Sequence, residues 1–239
     1  MFKKDLIKIK NKLINGETLS VEEEDYTKVL IREKMKEIIL SQLNIDGEVI
    51  AIYPYGSRVY GTAEDNSDHD YIIVMKAGLL PSGAYRDNAI SNADWTIQGV
   101  VYSRTGFKNA INNYEIGALE CIFLPEDKII YMDEKWVPYF KVTNWNEKAM
   151  AKAIIRKASD SRHYANMASK NGDKERGIKS MYHAFRILRF GLQLKEHQRI
   201  IDFAECNDMY NEFMAIEPEN FDSRDYFDKF DELVKELRS

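Results

Sequence analysis

The sequence predicts an α+β fold, in which N-terminal helices and a C-terminal helical bundle flank a small mixed β-sheet. Glycine, proline and runs of β-branched and aromatic residues concentrate between Gly47 and Pro138. The segments on either side are rich in Lys, Glu, Leu, Ile, Met and Ala, most of which favour helices. This change in composition predicts two regions: a sheet region at 1–140, which includes the N-terminal helices at 1–44, and a helical region at 141–239.

The overall composition is that of a globular domain. The chain has 239 residues, a net charge of −5, 44% hydrophobic residues and 31% charged residues, close to the averages for folded domains. No apolar run approaches the length of about 20 residues that a membrane span needs, and the basic N-terminus lacks the apolar run of a secretory signal. Cys121 and Cys206 are far apart and lack metal-ligand spacing. We therefore expect a cytoplasmic protein that makes no membrane contact; the oligomeric state is left open.

Two helices are predicted before the sheet. In the first, apolar residues recur at helical spacing, namely Phe2, Leu6, Ile9, Leu13 and Ile14. After a break at 15–18, Ser20 and Glu23 have the spacing of a capping box. The second helix should run from there to about Leu43.

The middle of the chain predicts three strands, at 48–53, 71–75 and 95–102. The second, YIIVM, is apolar on both faces and should therefore be central in its sheet. Ser103 or Thr105 could cap a short helix over 107–113. Two further segments are compatible with either a strand or a short helix, 119–124 and 128–131.

The last hundred residues predict a helical bundle. Apolar residues follow a helical period over four spans, and Asn171-Gly172 is a stop signal between the first two. The predicted spans are 146–171, 175–196, 200–215 and 222–238.

The chemistry is concentrated between Tyr55 and Met75. Asp68 and Asp70 are two residues apart at the start of a strand, so both side chains project to one face of the sheet. Two neighbouring carboxylates are suited to a hard cation such as Mg²⁺. A site for two ions needs a third carboxylate, and Asp94, just before the third strand, is the predicted one.

Gly56, Ser57 and Arg58 lie between the first strand and the acidic pair. Glycine lets the backbone approach a phosphate, and the serine hydroxyl and nearby N–H groups can donate hydrogen bonds to it. Arg58 would add positive charge. These residues predict a binding site for the phosphates of a nucleoside triphosphate.

The string GSRVYGTAEDNSDHDYIIV resembles the glycine-serine and aspartate-x-aspartate motif of the DNA polymerase β-type nucleotidyltransferase superfamily. It is most similar to the stand-alone bacterial and phage nucleotidyltransferases of that superfamily. Two looser stretches add to the resemblance. One would place Glu120 on a glutamate position of the group, and the other would place Lys179, His183 and Arg186 on its lysine…histidine-x-x-arginine helix.

The resemblance implies a polymerase β-like sheet and a metal-dependent transfer of a nucleoside monophosphate from a nucleoside triphosphate such as ATP to an acceptor hydroxyl, with release of pyrophosphate. Asp68, Asp70 and Asp94 would bind two Mg²⁺ ions, with Mn²⁺ as a possible substitute, and Asp94 could accept the proton. The 3′ end of tRNA or another RNA is the favoured acceptor.

Several alternatives stay open. The chain could be a non-catalytic nucleotide- or RNA-binding module, or a toxin–antitoxin partner, either of which would tolerate loss of a metal ligand. An antibiotic-modifying nucleotidyltransferase would need an acidic acceptor pocket. Lys179, His183 and Arg186 could contact phosphate or form an ordinary polar helix face, and Glu120 could be catalytic or structural. The basic cluster of Arg156, Lys157 and Arg162 is typical of a solvated face, although it could guide a polyanion.

Overall fold

The computed structural model describes residues 18–76 and 89–239, together with Lys12 and Asn15. The first predicted helix lies outside these residues. The second is confirmed as helix α1, Val21–Gln42. Its capping box forms as predicted: Glu23 N donates to Ser20 Oγ at 3.3 Å, and Ser20 N donates to Glu23 Oε2 at 3.0 Å.

A five-stranded mixed sheet forms the middle of the molecule. Its strands are β1 (Val49–Tyr55), β2 (His69–Met75), β3 (Ala89–Ser91), β4 (Ile97–Ser103) and β5 (Tyr131–Met132), in the order β3-β4-β2-β1-β5. β2 pairs in parallel with β4, and the other pairs are antiparallel. The central place predicted for the apolar strand is confirmed, because β2 lies between β1 and β4 with its residues 71–75 buried.

Short helices connect these strands and cover one face of the sheet. Helix α2 (Ser57–Tyr60) follows β1, and α3 (Arg104–Asn112) and α4 (Ile116–Phe123) follow β4. Ser103, rather than Thr105, caps α3, since its hydroxyl accepts a hydrogen bond from Gly106 N. The ambiguous segment at 119–124 is mainly helical, whereas 128–131 runs from the end of a short 3-10 helix, Glu126–Lys128, to the start of β5.

The C-terminal region contains four helices among the described residues: α5 (Glu147–Lys170), α6 (Lys174–His197), α7 (Asn207–Met214) and α8 (Phe227–Arg238). Helix α7 begins seven residues later than predicted. The amide of Gln193 explains the delay, because it accepts hydrogen bonds from Ile201 N and Asp202 N and donates one to Asp202 O. These contacts replace the backbone bonds that a helix would make.

The sheet packs between two layers. Ile39 and Leu43 of α1 cover the face that carries Ile73 and Val101. Helices α3 and α4 cover the opposite face, where the buried Cys121 lies. Among the described residues, no helix is both long enough and apolar enough to cross a membrane.

The bundle core extends into the sheet region. Tyr60 of α2 and Leu119 of α4 belong to the same apolar cluster as Phe185 and Phe190 of α6, and the buried Cys206 is also part of it. The helical bundle is therefore fixed directly against the segment that follows β1. The division predicted near residue 140 stays a prediction, because the two regions share this core.

Candidate active site

Asp68 and Asp70 lie at the N-terminal end of β2, beside a glutamine of β4. The parallel register places Asp70 opposite Gln98. The side-chain amide of Gln98 donates a short hydrogen bond to Asp68 Oδ2. All three side chains are half-buried. Three oxygen-bearing side chains from two neighbouring strands are thus gathered at one point of the sheet.

Gly56 lies directly against Asp70. Tyr55, the last residue of β1, pairs with Asp70 across the sheet, and Gly56 follows with φ 75° and ψ −156°. This backbone conformation is essentially restricted to glycine. A β-carbon at Gly56 would overlap Asp70 Oδ2. Glycine is required here both by the backbone angle and by the approach of the carboxylate, so Gly56 and Asp70 form one structural unit.

The two carboxylates of the acidic pair lie close together, and within the described residues neither is bonded to a cationic side chain. Burial, followed by the neighbouring negative charge of Asp68, raises the pKa of Asp70 to about 6. Among the described residues, no lysine, arginine or histidine forms an ion pair with either carboxylate. A ligand that brings positive charge would stabilise both ionised groups.

Arg58 fixes the loop that leads into β2. Its Nη2 donates to Ser67 O at 2.6 Å and its Nε donates to Asp68 O at 3.1 Å. The guanidinium therefore holds the backbone next to Asp68 and so positions the acidic pair. The predicted contact between Arg58 and a phosphate stays a prediction. Ser57 is the first residue of α2 and is half-buried next to Gly56.

Asp94 does not join the acidic pair. It lies exposed in the turn between β3 and β4, where its Oδ1 accepts hydrogen bonds from Thr96 N at 3.1 Å and Thr96 Oγ1 at 2.7 Å. These bonds lower the pKa of Asp94. No three Asp, Glu, His or Cys side chains within 18–76 and 89–239 come together to hold a metal ion. Asp94 thus stabilises its own turn, and the predicted group of three carboxylates is not assembled.

Gln98 is the residue that the sequence analysis missed. It occupies the position on the neighbouring strand that the third carboxylate was expected to take. The alternation in WTIQGVVY places Gln98, Val100 and Tyr102 on one face, but the parallel register with Asp70 is needed to recognise its proximity. The sequence alone does not contain that register.

Behind Gly56, a buried polar cluster connects α2, α4 and α6. Tyr60 Oη donates to Glu120 Oε2 at 2.5 Å, and the guanidinium carbon of Arg186 lies 3.6 Å from the centre of the Tyr60 ring. Glu120 is 3% exposed and Arg186 is 2% exposed. Burial raises the pKa of Glu120, whereas the charge of Arg186 and hydrogen bonds from Tyr60 and Tyr55 oppose that rise. Of the two roles left open for Glu120, the structure favours the structural one.

The three residues that were predicted to share one face of α6, Lys179, His183 and Arg186, lie in different surroundings. Arg186 lies in the buried cluster, and its Nη2 is 3.3 Å from His183 Nε2. The positive charge of Arg186, followed by desolvation, lowers the pKa of His183. Lys179 is exposed and lines a separate cavity with Phe213 and Pro218. The three residues therefore do not form one phosphate-binding face.

A cavity of about 720 Å³ opens beside Asp70. Gln98 and Tyr102 of β4, Glu115, and Arg156 of α5 are among its lining residues. Its volume is within the range of small-molecule binding sites. Asp70 therefore faces a space between the sheet and the bundle that is large enough for a nucleotide.

The oxygen donors at this point fit one hard divalent cation. Asp68 and Asp70 supply two carboxylates, and the carboxamide of Gln98 supplies a weaker oxygen donor, which are the donor types that Mg²⁺ and Mn²⁺ accept. A pair of ions normally shares a further carboxylate, and no such group joins the pair among the described residues. The donor set fits one cation better than the two that the resemblance implies.

The chain was compared with known proteins and structures. No family model matches it, and no curated protein sequence matches it. A structural similarity is found to the crystal structure of a nucleotidyltransferase-like protein from Exiguobacterium sibiricum, with 14% sequence identity and a TM-score of 0.33. The alignment covers 86% of this chain and 74% of that protein. A similarity at this TM-score does not indicate a function for this chain.

Proposed function

We propose that the chain is a nucleotidyltransferase that transfers a nucleoside monophosphate from a nucleoside triphosphate to an acceptor hydroxyl. The observation that carries the proposal is the unit formed by Gly56, Asp68 and Asp70, in which Asp70 lines the cavity. Two neighbouring carboxylates that form no ion pair within the described residues, one of them lining a cavity of nucleotide size, suit a triphosphate that arrives with its divalent cation. Asp68 and Asp70 would hold that cation, and when bound it would neutralise charge on the phosphate oxygens.

The transfer itself requires little covalent chemistry from the protein. The acceptor oxygen forms a bond to the α-phosphorus, the bond between that phosphorus and the oxygen bridging to the β-phosphate breaks, and pyrophosphate leaves with the bonding electrons. The hydroxyl proton is released to water. The chain contributes by positioning: Gly56 leaves room for the Asp70 carboxylate, Arg58 holds the loop that carries Asp68, and the cavity walls orient both substrates.

The acceptor is proposed to be anionic. Arg156 and Lys157 of α5 lie on the cavity wall on the bundle side. A cationic antibiotic would need a mainly acidic wall, whereas here Arg156 and Lys157 offset the acidic Glu115 and Asp160, so the antibiotic-modifying alternative is the less favoured one. The 3′ end of an RNA, such as tRNA, combines the required hydroxyl with negative charge and remains the favoured acceptor.

A second candidate function is nucleotide binding without transfer, whether as a sensor or as a toxin–antitoxin partner. It is favoured by one observation: an amide, Gln98, occupies the place next to Asp70 where a third carboxylate would complete a site for two ions. Both functions require the same nucleotide site. They differ only in whether a nucleoside monophosphate is transferred to an acceptor.

The test is a transfer assay with each of the four α-³²P-labelled nucleoside triphosphates, Mg²⁺ or Mn²⁺, and separate acceptors: total RNA, cell protein and aminoglycosides. The control is an Asp68→Asn/Asp70→Asn variant, which keeps the shape of both side chains. Label in one acceptor class that disappears with the variant supports the transferase. Nucleotide binding without label in any acceptor supports the binding module, and failure to bind any nucleotide contradicts both.

A further inference from the structure

Three basic residues of α5 form a row that begins at the candidate active site. Lys148, Lys152 and Arg156 are spaced four residues apart, so they lie on one side of the helix at intervals of about 6 Å. We call this row the basic stripe. All three side chains are exposed. None of them forms an ion pair within the described parts of the chain.

The basic stripe lies along a groove that leads away from Asp70. A second cavity of about 860 Å³ is lined by the whole stripe and by Arg238 of α8. It shares Arg156 and Glu115 with the cavity beside Asp70. The two spaces therefore adjoin, with Arg156 at the junction.

The charge along the groove changes sign with distance from the acidic pair. The cavity beside Asp70 is also lined by Glu115 and Asp160, which face Arg156 and Lys157. Among the described residues that line the second cavity, Glu115 is the one acidic residue, against the stripe and Arg238. This concentration of positive charge occurs in a chain with a net charge of −5, so it is a local feature of the groove and not a property of the whole surface.

We propose that the groove binds the 3′-terminal segment of a single-stranded nucleic acid, with its terminal hydroxyl at Asp70 and its preceding phosphates along the basic stripe. This inference rests on the proposed function, because it assigns the acceptor of the same site. Phosphates paired with a row of cations provide most of the affinity of such complexes, and aromatic side chains provide stacking surfaces for the bases. Tyr55 and Tyr102, both half-buried, line the cavity in which the terminal nucleoside would lie.

The test measures binding of a 5′-fluorescein-labelled single strand of about 15 nucleotides by anisotropy, without nucleoside triphosphate. Both RNA and DNA strands are used, between about 50 and 200 mM NaCl. We expect Lys148→Glu/Lys152→Glu to weaken binding at least tenfold for the strand type that binds. We also expect it to reduce the slope of log K against log salt by about 1.4, since each phosphate contact contributes about 0.7.

The matched control is Lys128→Glu/Lys170→Glu, which changes the net charge equally at two exposed lysines outside the groove. It should keep the affinity within twofold. Equal weakening by both double variants, absence of saturable binding, or equally effective competition by polyglutamate would overturn the proposal. The last result would assign the groove to an acidic protein segment.

Two further measurements separate this proposal from the proposed function. The stripe variant should still bind a fluorescent nucleoside triphosphate, because none of its substitutions touches Asp68, Asp70 or Gly56. The Asp68→Asn/Asp70→Asn variant should still bind the strand while transferring nothing. Strand binding by the wild type without transfer would contradict the transferase and leave the groove assignment standing. Transfer at the same rate by the wild type and the stripe variant would support the transferase and contradict the groove assignment.

Discussion

The guanidinium of Arg186 lies over the ring of Tyr60, at the point where the helical bundle meets the sheet region. Its central carbon is 3.6 Å from the centre of that ring. Tyr60 is the last residue of the short helix that begins next to Gly56, and its hydroxyl bonds to the buried Glu120. Arg186 therefore connects the helical bundle to the segment that carries the proposed nucleotide site.

Arg186→Met should lower the free energy of unfolding by about 2 kcal/mol or more, because it removes a buried cation–π contact with Tyr60 and leaves Glu120 buried without its nearby cation. Urea denaturation gives this quantity directly. A second substitution, Glu120→Gln, should recover part of the loss, because a neutral amide does not require that cation.

Arg162→Met is the matched control for this prediction. Its guanidinium also lies over aromatic rings, 4.4 Å from the centre of Phe230, but its ion pair with Asp231 is exposed. Exposed pairs contribute about 0–1 kcal/mol, so this variant should lose clearly less stability. Equal losses for Arg162→Met and Arg186→Met would show that the buried charge of Glu120 has no special effect.

Gly56→Ala should remove nucleotide binding and lower stability by about 1–3 kcal/mol, since the new side chain strains the backbone and displaces Asp70. Binding of a fluorescent nucleoside triphosphate, read together with thermal unfolding, tests it. Gly172→Ala is a suitable comparison, because Gly172 also has a positive φ, 85°, but nothing lies within 4 Å of its added β-carbon. A similar loss of nucleotide binding in both variants would contradict the role given to the Gly56–Asp70 contact.

Asp70→Asn should stabilise the metal-free protein at pH 8 by about 1–3 kcal/mol, because the native state carries an ionised carboxyl whose pKa is raised to about 6. The folded-state pKa lies above the unfolded value of 3.8, so ionisation favours unfolding. The gain should shrink as the pH falls from about 6 to about 4, where Asp70 becomes protonated in both states. Denaturation in EDTA at several pH values measures it.

Asp94→Asn provides the contrast. It should not stabilise the protein at pH 8, because the Thr96 hydrogen bonds favour the ionised form, and it should retain nucleotide binding and transfer. Loss of transfer with Asp94→Asn would restore the role that the sequence analysis gave to this residue.

Gln98→Glu should add a carboxylate beside Asp68 and Asp70 and so tighten binding of Mn²⁺ by about tenfold or more, since a charged oxygen donor replaces a neutral one. Isothermal titration calorimetry gives both affinity and stoichiometry. Gln98→Met removes the donor and should weaken binding. Unchanged Mn²⁺ affinity in both variants would place the ion away from Gln98.

Local sequence signals predicted most of the fold. The capping box at Ser20 and Glu23, the apolar strand 71–75 and the Asn171-Gly172 stop all act within a few residues, and each is found in the structure. The late start of α7 could not be predicted, because the bonds from Gln193 come from the preceding helix.

The candidate site was predicted only in part, because some of its contacts are local in sequence and others are not. The proximity of Asp68 to Asp70 follows from the two-residue strand period. Whether Asp94 or Gln98 is their neighbour depends on the parallel register of β2 and β4, which is set by non-local packing. The stripe formed by Lys148, Lys152 and Arg156 follows from helix geometry, but its position beside Asp70 does not.

The two cysteines lie in different cores, Cys121 under the sheet and Cys206 in the bundle. Burial raises the pKa of both thiols, that of Cys206 to about 12, so each reacts with a thiol reagent only when its own surroundings open. The labelling rate of each thiol thus reports how often its own region opens. If the core around Tyr60 unites the two regions, Cys121 and Cys206 should become labelled at the same rate in denaturant, as parts of one cooperative unit.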